Sequence, residues 1–531
     1  MKHALALFNS QNYQEAASAF ARLSKQNSMD HELWLMQGLC AQKLGYIDKA
    51  IDSLKHAISL KQRSAKLHNK LGYLYLEKGY IDLAIQNFRE AISIKADYKE
   101  AHENLTTALL SSCRYHESVS ACHNALRIAP NSTDIRCRLA VALEKIHELD
   151  DALDAAKEAL DIAPGHVRAS FIVARFEKRS GNLEAARDRL KLLLRNRLPA
   201  VHAATMAAEL GDVLDRMGEY DEAYEQFENS NEYIAQIITP EQAAHAPIYE
   251  KINALKTTFS RRFVNGWNEE IASEGQNTPI FLVGFPRSGT TLTEQLLASV
   301  DNIMPSDEKP FVSRLINEIP SLLNRPFRYP YDLGALSSHE IKRLRVRYWA
   351  LVEGMLGQVD SSVQLLDKLP LNLIDLGLIY RIFPKARVIV VLRDPRDTCL
   401  SCFMQPFQPN QAMINFLSLD KSSLFYAAVM DLWLHYRAVL ELDFHVLRYE
   451  DVVENCEAEA RRLVEFAGMP WDDSVLRYFE YARKRDVSTP SYSAVVSPIY
   501  SRSIGRWRHY STHMQTVMNS LDRYIKEFDY E

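Results

Sequence analysis

The stretch Pro279–Thr291 reads Pro-Ile-Phe-Leu-Val-Gly-Phe-Pro-Arg-Ser-Gly-Thr-Thr. It opens with a short apolar run bounded by proline and glycine, which predicts a buried strand. Apolar residues at Leu292, Leu296, Leu297 and Val300 then predict a helix. Free backbone N–H groups and the dipole at a helix N-terminus both favour a bound anion. The stretch therefore predicts a phosphate-binding loop between a strand and a helix.

The two glycines of this loop, Gly284 and Gly289, have the spacing of the glycines in a P-loop. A nucleoside-triphosphate enzyme carries a lysine after the second glycine, where it contacts the β- and γ-phosphates. Here that position is Thr290, and Arg287 lies earlier in the loop. The loop thus suits a phosphate group better than ATP–Mg, and a P-loop kinase is the less favoured alternative.

Two further segments place basic residues at predicted strand ends. The apolar run Arg387–Leu392 predicts a strand that is followed by Arg393, and Ser401 lies about two helical turns further on. The short strand Leu365–Lys368 ends on a lysine before a proline-marked turn. Ligands of open α/β sheets bind at the carboxyl ends of parallel strands. An arginine and a serine hydroxyl can jointly hold a phosphate there.

The first half of the chain repeats with a period of 34 residues. One position of the repeat carries small residues: Ala16, Ala50, Ala84, Ser118, Ala152 and Ala186. Another carries mostly larger ones: Phe20, Leu54, Phe88, Cys122, Ala156 and Leu190. A seventh copy contains Gly211, Gly218, Ala223 and Phe227. This period and these residue types resemble tetratricopeptide repeats, in which stacked helix pairs bury a shared core.

The predicted fold is an N-terminal all-α repeat solenoid followed by an α/β P-loop-like domain with a parallel central sheet. The repeat array of about seven repeats is expected over residues 1–235. A helical connector is expected over residues 236–277, ending in the polar stretch Ser273–Thr278. The second domain is expected over residues 278–531.

Composition narrows the function classes. The 531 residues carry 63 basic and 68 acidic side chains, and this balance disfavours binding to bulk nucleic acid. The longest apolar runs are far shorter than a membrane span. The seven cysteines are scattered and odd in number, so a disulfide framework is not expected. We therefore expect the protein in a reduced cytoplasmic compartment. His509 and His513 have the spacing of a helical metal pair, but without a third ligand the favoured interpretation is packing or solvent exposure.

The motifs of the second half together resemble the sulfotransferase family. Pro286–Thr291 is similar to the family's loop for the 5′-phosphosulfate of 3′-phosphoadenosine 5′-phosphosulfate (PAPS). The resemblance implies that Arg393 and Ser401 hold the 3′-phosphate. It also implies a set of loop residues that hold the 5′-phosphate: Ser288, Gly289, Thr290 and Thr291. PAPS is then the co-substrate, and no metal is expected, because lysine and arginine can neutralise the smaller charge of a sulfuryl group.

The tyrosylprotein sulfotransferase branch is the most similar part of that family. It shares the Arg-Ser-Gly-Thr-Thr form, a Lys-x-Pro segment like Lys368–Pro370, and a carboxylate 21 residues beyond the loop arginine, here Glu308. The resemblance implies that Arg287 and Lys368 neutralise charge on the departing oxygen and that Glu308 is the base, with Asp307 second. The resemblance further implies contacts with the bound nucleotide from Tyr449 and Arg506.

The sequence leaves the acceptor open. The favoured interpretation is a protein or peptide hydroxyl, tyrosine first, that is recruited through the groove of the repeat array. The alternatives are sulfation of a small molecule or carbohydrate, or a non-catalytic repeat scaffold. Pro310 stands where the tyrosine enzymes carry a substrate-binding arginine, and Ser306-Asp307-Glu308 replaces their Gly-Glu-Glu. The sequence does not indicate an oligomeric state.

Overall fold

A computed structural model describes residues 1–244, 246–267, 278–360, 362–483, 499 and 501–530. The chain divides into two compact units, Met1–Asn182 and Leu183–Glu531. Most of the polar stretch that is expected to end the connector lies outside the described residues.

The first unit consists of helices joined by short turns. Their bounds are α1 Lys2–Asn9, α2 Tyr13–Gln26, α3 His31–Lys43, α4 Ile47–Leu60, α5 Ala65–Glu77, α6 Ile81–Ile94, α7 Lys99–Ser111, α8 Tyr115–Ile128, α9 Thr133–Lys145, α10 Leu149–Ile162 and α11 Val167–Arg179. Amphipathic faces of consecutive helices pack on one another, as the 34-residue period predicts.

Glycine and phenylalanine positions of the repeat explain how closely the helices approach. A Cβ atom added at Gly72 on α5 would lie 2.7 Å from the ring of Phe88 on α6. Phe88 and the small residue Ala84 are both fully buried. In this helix pair a large ring therefore packs against a position without a side chain, and the stacked helix pairs confirm the predicted solenoid class.

The second unit begins with helices that continue the repeat pattern and then folds around a sheet. Its helices are α12 Leu183–Leu194, α13 Ala200–Met217, α14 Tyr220–Ala235, α15 Pro240–Ala243, α16 Ala246–Thr258, α17 Arg261–Asn265, α18 Thr290–Ala298, α19 Phe311–Leu323, α20 Ser338–Leu356, α21 Leu376–Ile382, α22 Pro395–Phe403, α23 Leu419–Val439, α24 Tyr449–Glu454, α25 Cys456–Ala467, α26 Tyr478–Arg483, α27 Ser511–Met514 and α28 Met518–Glu527. Its strands are β1 Ile280–Gly284, β2 Ile303–Pro305, β3 Gln364–Lys368, β4 Arg387–Leu392 and β5 Asp443–Arg448.

The five strands form one parallel sheet in the order β2-β3-β1-β4-β5. The central strands β1, β3 and β4 are almost wholly buried, as strands covered on both faces are. Strands β1 and β4 are mainly apolar, whereas β3 ends on the buried polar residues Asp367 and Lys368. Because all strands run in the same direction, their carboxyl ends meet at one edge of the sheet. The predicted parallel central sheet is thus confirmed.

The seventh repeat copy belongs to the second unit. Its helices α13 and α14 pack together, and a Cβ atom at Gly211 would lie 2.7 Å from the ring of Phe227. This contact reproduces the one between Gly72 and Phe88. None of the helices described is both long enough and apolar enough to cross a bilayer.

Replacing Gly72 by alanine tests the packing of the repeats. The added methyl group meets a buried ring that has no room to move, so we expect a loss of about 1–3 kcal/mol in the free energy of unfolding. Gly165→Ala is the matched control, because nothing lies within 4 Å of its Cβ position. Thermal unfolding followed by circular dichroism compares the two variants. Equal midpoints for both would contradict the packing described.

Candidate active site

The loop between β1 and α18 has a backbone that depends on its glycines. A Cβ atom at Gly284 would lie 2.6 Å from the carbonyl oxygen of Val391, so only glycine allows β1 and β4 to approach. Gly289 has φ +106°, and its Cβ position lies 2.6 Å from the Tyr449 ring. Arg287 also has a positive φ, +68°. The chain therefore enters α18 through left-handed backbone angles at Arg287 and Gly289, and two of its close approaches leave room only for glycine.

Arg287, Arg393 and Ser401 are brought together beside this loop. The Arg287 Nε donates to Ser401 Oγ at 3.2 Å, and Arg393 Nη1 donates to the Arg287 carbonyl at 3.0 Å. The Arg393 guanidinium also lies 5.2 Å from the centroid of the Tyr449 ring. Four of the predicted nucleotide-binding residues thus form one cluster, although they lie as much as 162 positions apart in the chain, from Arg287 to Tyr449.

Two buried donors in this cluster have no hydrogen-bond partner in the described part of the chain. They are Ser288 Oγ and Arg393 Nε. A buried polar atom without a partner is costly unless a ligand satisfies it. A hydroxyl and a guanidinium nitrogen beside a helix N-terminus match the oxygens of a phosphate, so these residues fit the phosphate groups of PAPS.

Lys368 lies at the carboxyl end of β3 with its side chain fully buried. Its Nζ contacts Glu308 Oε1 at 2.7 Å and Glu294 Oε2 at 3.1 Å. Burial by itself lowers the pKa of the Lys368 ammonium, but the two carboxylates outweigh burial and raise this pKa above its ordinary value. Lys368 therefore carries a positive charge at the edge of the sheet.

Glu308 follows β2 in a turn with unusual backbone angles. Asp307 and Glu308 have φ values of +49° and +62°, a region that costs non-glycine residues of order 1–3 kcal/mol. Ser306 ties this turn to β3, because its Oγ accepts the Lys368 N–H at 2.8 Å and donates to the Lys368 carbonyl at 3.3 Å. Glu308 is therefore held against Lys368 by a turn whose backbone is strained.

Glu294 is a site residue that the motif analysis does not identify. It lies on α18, contacts Lys368, and accepts the backbone N–H of Asp307 at 3.3 Å. Burial raises the pKa of the Glu294 carboxyl to about 7, although the charge of Lys368 opposes the shift. A polar residue on a helix is expected to face solvent, but every residue of α18 is buried. Only the fully enclosed position of the helix shows that Glu294 is part of the site.

A cavity of about 320 Å³ opens at this edge of the sheet. The predicted site residues that line it are Arg287, Gly289, Thr290, Thr291, Glu308, Arg393 and Tyr449. Apolar side chains of Leu369, Leu371, Phe407 and Met413 also line it. Ser401 and Lys368 do not line the cavity but contact residues that do, Arg287 and Glu308 respectively. Ser288 lies in the chain between the lining residues Arg287 and Gly289.

Arg506 is not among the residues that line the cavity. Its guanidinium binds Asp215 of α13, with Nε 3.0 Å from Oδ1 and Nη2 2.9 Å from Oδ2. The structure therefore places Arg506 against the last repeat and not beside the loop. The two histidines with metal-pair spacing are packed on tyrosines, His509 on Tyr220 and His513 on Tyr224.

Comparison with known proteins agrees with this geometry. Residues 279–473 match the family model of the sulfotransferase family, and residues 1–65 and 65–98 match tetratricopeptide-repeat models. The chain thus joins tetratricopeptide repeats to a domain of the sulfotransferase family. The resemblance stated from the motifs is confirmed.

Three curated relatives show how far the similarity extends. An uncharacterized protein of Aquifex aeolicus (strain VF5) is 30% identical over 345 residues, which cover 62% of this chain and 43% of that protein. Protein-tyrosine sulfotransferase A of Caenorhabditis elegans is 25% identical over 232 residues, covering 43% of this chain and 60% of the relative. Protein-tyrosine sulfotransferase of Drosophila melanogaster is 23% identical over 261 residues, which cover 46% of this chain and 50% of the relative. The chain spans about half the length of these curated relatives.

Asp367, next to Lys368, gives a testable pH dependence. It is buried on β3, and its Oδ2 accepts the Tyr348 hydroxyl at 2.6 Å. Burial raises the pKa of Asp367 from an ordinary value of 3.8 to about 7. The folded state therefore favours the protonated Asp367 carboxyl. The contribution of this protonation to the free energy of unfolding is complete below about pH 4 and is lost as the pH rises to about 7.

Asp367→Asn removes this titration and keeps an oxygen for the Tyr348 hydroxyl. We expect the stability of the wild type relative to Asp367→Asn to fall between pH 4 and 7 and to level off above. Urea unfolding midpoints at a series of pH values measure the difference. Parallel pH profiles for the two proteins would show that Asp367 does not titrate in this range.

Proposed function

We propose that the protein is a PAPS-dependent sulfotransferase that transfers a sulfuryl group to a hydroxyl of a protein or peptide, with tyrosine the favoured acceptor. The observation that carries the proposal is the convergence of three groups at one edge of the parallel sheet. They are a phosphate loop without a P-loop lysine, a buried lysine, and a carboxylate in contact with that lysine.

The donor half of the site is assigned to the loop and to the arginine cluster. Backbone N–H groups of Ser288–Thr291 and the threonine hydroxyls hold the 5′-phosphate at the N-terminus of α18. Arg393 and Ser401 hold the 3′-phosphate. Tyr449 lies against Gly289 and close to Arg393, where its ring can pack on the nucleotide. The unpaired Ser288 Oγ and Arg393 Nε supply two of the hydrogen bonds.

When bound, PAPS supplies an activated sulfuryl group, whose bond to the bridging phosphate oxygen breaks as the bond to the acceptor oxygen forms. Lys368 and Arg287 place positive charge where negative charge develops on the departing oxygen. Glu308 accepts the proton of the acceptor hydroxyl, because a phenol of pKa about 10 is a weak nucleophile at neutral pH. Glu294 keeps Lys368 charged and in place.

The acceptor side of the proposal rests on the cavity wall and the relatives. Leu369, Leu371, Phe407 and Met413 give the cavity an apolar wall that suits an aromatic ring. Two relatives carry the name protein-tyrosine sulfotransferase. The repeat array, over the proposed range 1–235, recruits the polypeptide. A small phenol would fit the same wall, so sulfation of a small molecule is the second candidate.

Calorimetric titration tests the donor assignment. The protein without added metal is titrated with 3′-phosphoadenosine 5′-phosphate and, in parallel, with ATP and Mg²⁺. We expect micromolar binding of the first nucleotide only, because the loop lacks the lysine that ATP–Mg requires. Tight binding of ATP–Mg alone would instead identify a kinase.

Glu308→Gln tests the base. The amide keeps the size of the side chain but cannot accept the proton, so we expect turnover to fall about 10²- to 10⁴-fold. Affinity for 3′-phosphoadenosine 5′-phosphate should change by less than about threefold, since the nucleotide contacts remain. Transfer of radiolabelled sulfate from PAPS to a tyrosine peptide and to p-nitrophenol gives the rates.

Lys309→Ala is the matched control, because Lys309 is a charged neighbour of Glu308 to which no role is assigned. Its activity should stay within about twofold of the wild type. If Glu308→Gln lost nucleotide binding as completely as turnover, Glu308 would be a structural residue and not the base.

A further inference from the structure

The segment Ser503–Trp507 forms part of the donor side of the cavity. Its first residue, Ser503, lines the cavity beside Arg393, and the Ser503 carbonyl accepts a hydrogen bond from Arg393 Nη2. The Asp397 carboxylate accepts the Gly505 N–H at 2.6 Å and the Trp507 N–H at 2.8 Å. This segment therefore contacts the arginine to which the 3′-phosphate is assigned.

The other side of this segment is held by the last repeat. Asp215 of α13 binds the Arg506 guanidinium through both carboxylate oxygens and accepts the Tyr510 hydroxyl at 2.6 Å. The Asp215 side chain is 15% exposed and that of Arg506 is 25% exposed. Burial by itself lowers the pKa of Arg506, but the charges of Asp215 and of Asp212, whose Oδ1 lies 3.9 Å from Arg506 Nη2, outweigh burial and raise this pKa. The pair is thus a charged, mostly buried, bidentate contact.

Aromatic stacking adds a second connection from the same repeat. The His509 ring stacks on the Tyr220 ring with 4.4 Å between the ring centroids, and the His513 ring stacks on the Tyr224 ring with 3.8 Å between centroids. Both tyrosines lie on α14, one helical turn apart. The two helices of the last repeat therefore contact the stretch that follows the cavity segment.

We infer that Asp215 is a positioning residue of the donor site. By holding Arg506 and Tyr510, it fixes Ser503–Trp507 against Arg393 and Asp397, so that a repeat helix determines the affinity for the nucleotide. The inference rests on the proposed function. It assigns Arg506 an indirect role, in place of direct contact with a phosphate.

Asp215→Asn tests the inference by calorimetry with 3′-phosphoadenosine 5′-phosphate. Loss of the charge that pairs with Arg506 loosens the segment, and we expect affinity to fall about ten- to a hundredfold, as for other residues that orient a ligand-binding group. Asp221→Asn is the control, because Asp221 contacts His513 from the same repeat but its side chain is 96% exposed. Its affinity should stay within about twofold of the wild type.

Arg506→Met separates a positioning role from direct phosphate contact. If Arg506 acts through the pair, Asp215→Asn, Arg506→Met and the double variant all lose affinity by the same factor, because the second change removes nothing further. If Arg506 binds a phosphate itself, Arg506→Met alone loses affinity, whereas Asp215→Asn leaves it unchanged or raises it. That second pattern would overturn the inference.

The KM for PAPS separates a positioning role from a loss of folded protein, because a smaller amount of folded enzyme lowers the apparent kcat and leaves KM unchanged. In Asp215→Asn the KM for PAPS should rise about tenfold or more while kcat at saturating PAPS stays within about twofold. A fall in kcat with an unchanged KM would overturn the positioning role. If Asp215→Asn does not fold, Tyr510→Phe removes one hydrogen bond to Asp215 and keeps the ring. A nucleotide affinity of Tyr510→Phe equal to that of the wild type would then overturn the inference.

The titration of the wild-type protein distinguishes failure of the proposed function from failure of the role inferred for Asp215. Wild-type protein that does not bind the nucleotide would overturn the proposed function, and the inference with it. Wild-type protein that binds, together with an Asp215→Asn variant that binds equally well, would overturn only the inference.

Discussion

The ammonium group of Lys368 is buried between two carboxylates, and the arrangement of the site depends on this contact. An uncompensated charge at that depth would be strongly destabilising, so Glu294 and Glu308 must both stay close. The position of Glu294 depends on α18, a helix whose residues are all buried. Glu308 requires the strained turn after β2, which Ser306 ties to the backbone of Lys368. One buried charge thus links the loop after β1, the proposed base Glu308 and the sheet.

The parallel sheet explains why these groups meet. Each strand delivers one functional element at its carboxyl end: the loop after β1, Glu308 after β2, Lys368 on β3, Arg393 after β4 and Tyr449 after β5. Such an edge is where ligands bind in open α/β sheets. Ser503, which comes from far along the chain, also lines the cavity.

The repeat array, the phosphate-type loop and the parallel sheet could be predicted from the sequence because local patterns encode them. The repeat period and the strand–loop–helix pattern at Pro279–Thr291 are properties of short segments. Strands β2 and β5 lack such a pattern, because β2 has three residues and β5 is a partly exposed edge strand. Glu294 and Asp215 resemble ordinary solvent-facing carboxylates on helices. Their partners lie 74 and 291 positions away, at Lys368 and Arg506, so only the folded chain identifies them.

A crystal structure of the protein with 3′-phosphoadenosine 5′-phosphate tests the central claim most directly. We expect the 5′-phosphate to accept hydrogen bonds from the backbone of Ser288–Thr291 and the 3′-phosphate to contact Arg393 and Ser401. We also expect Lys368 to lie within hydrogen-bond distance of the 5′-phosphate. A nucleotide bound away from the loop, or one that leaves Lys368 and Arg393 without contact, would contradict the account.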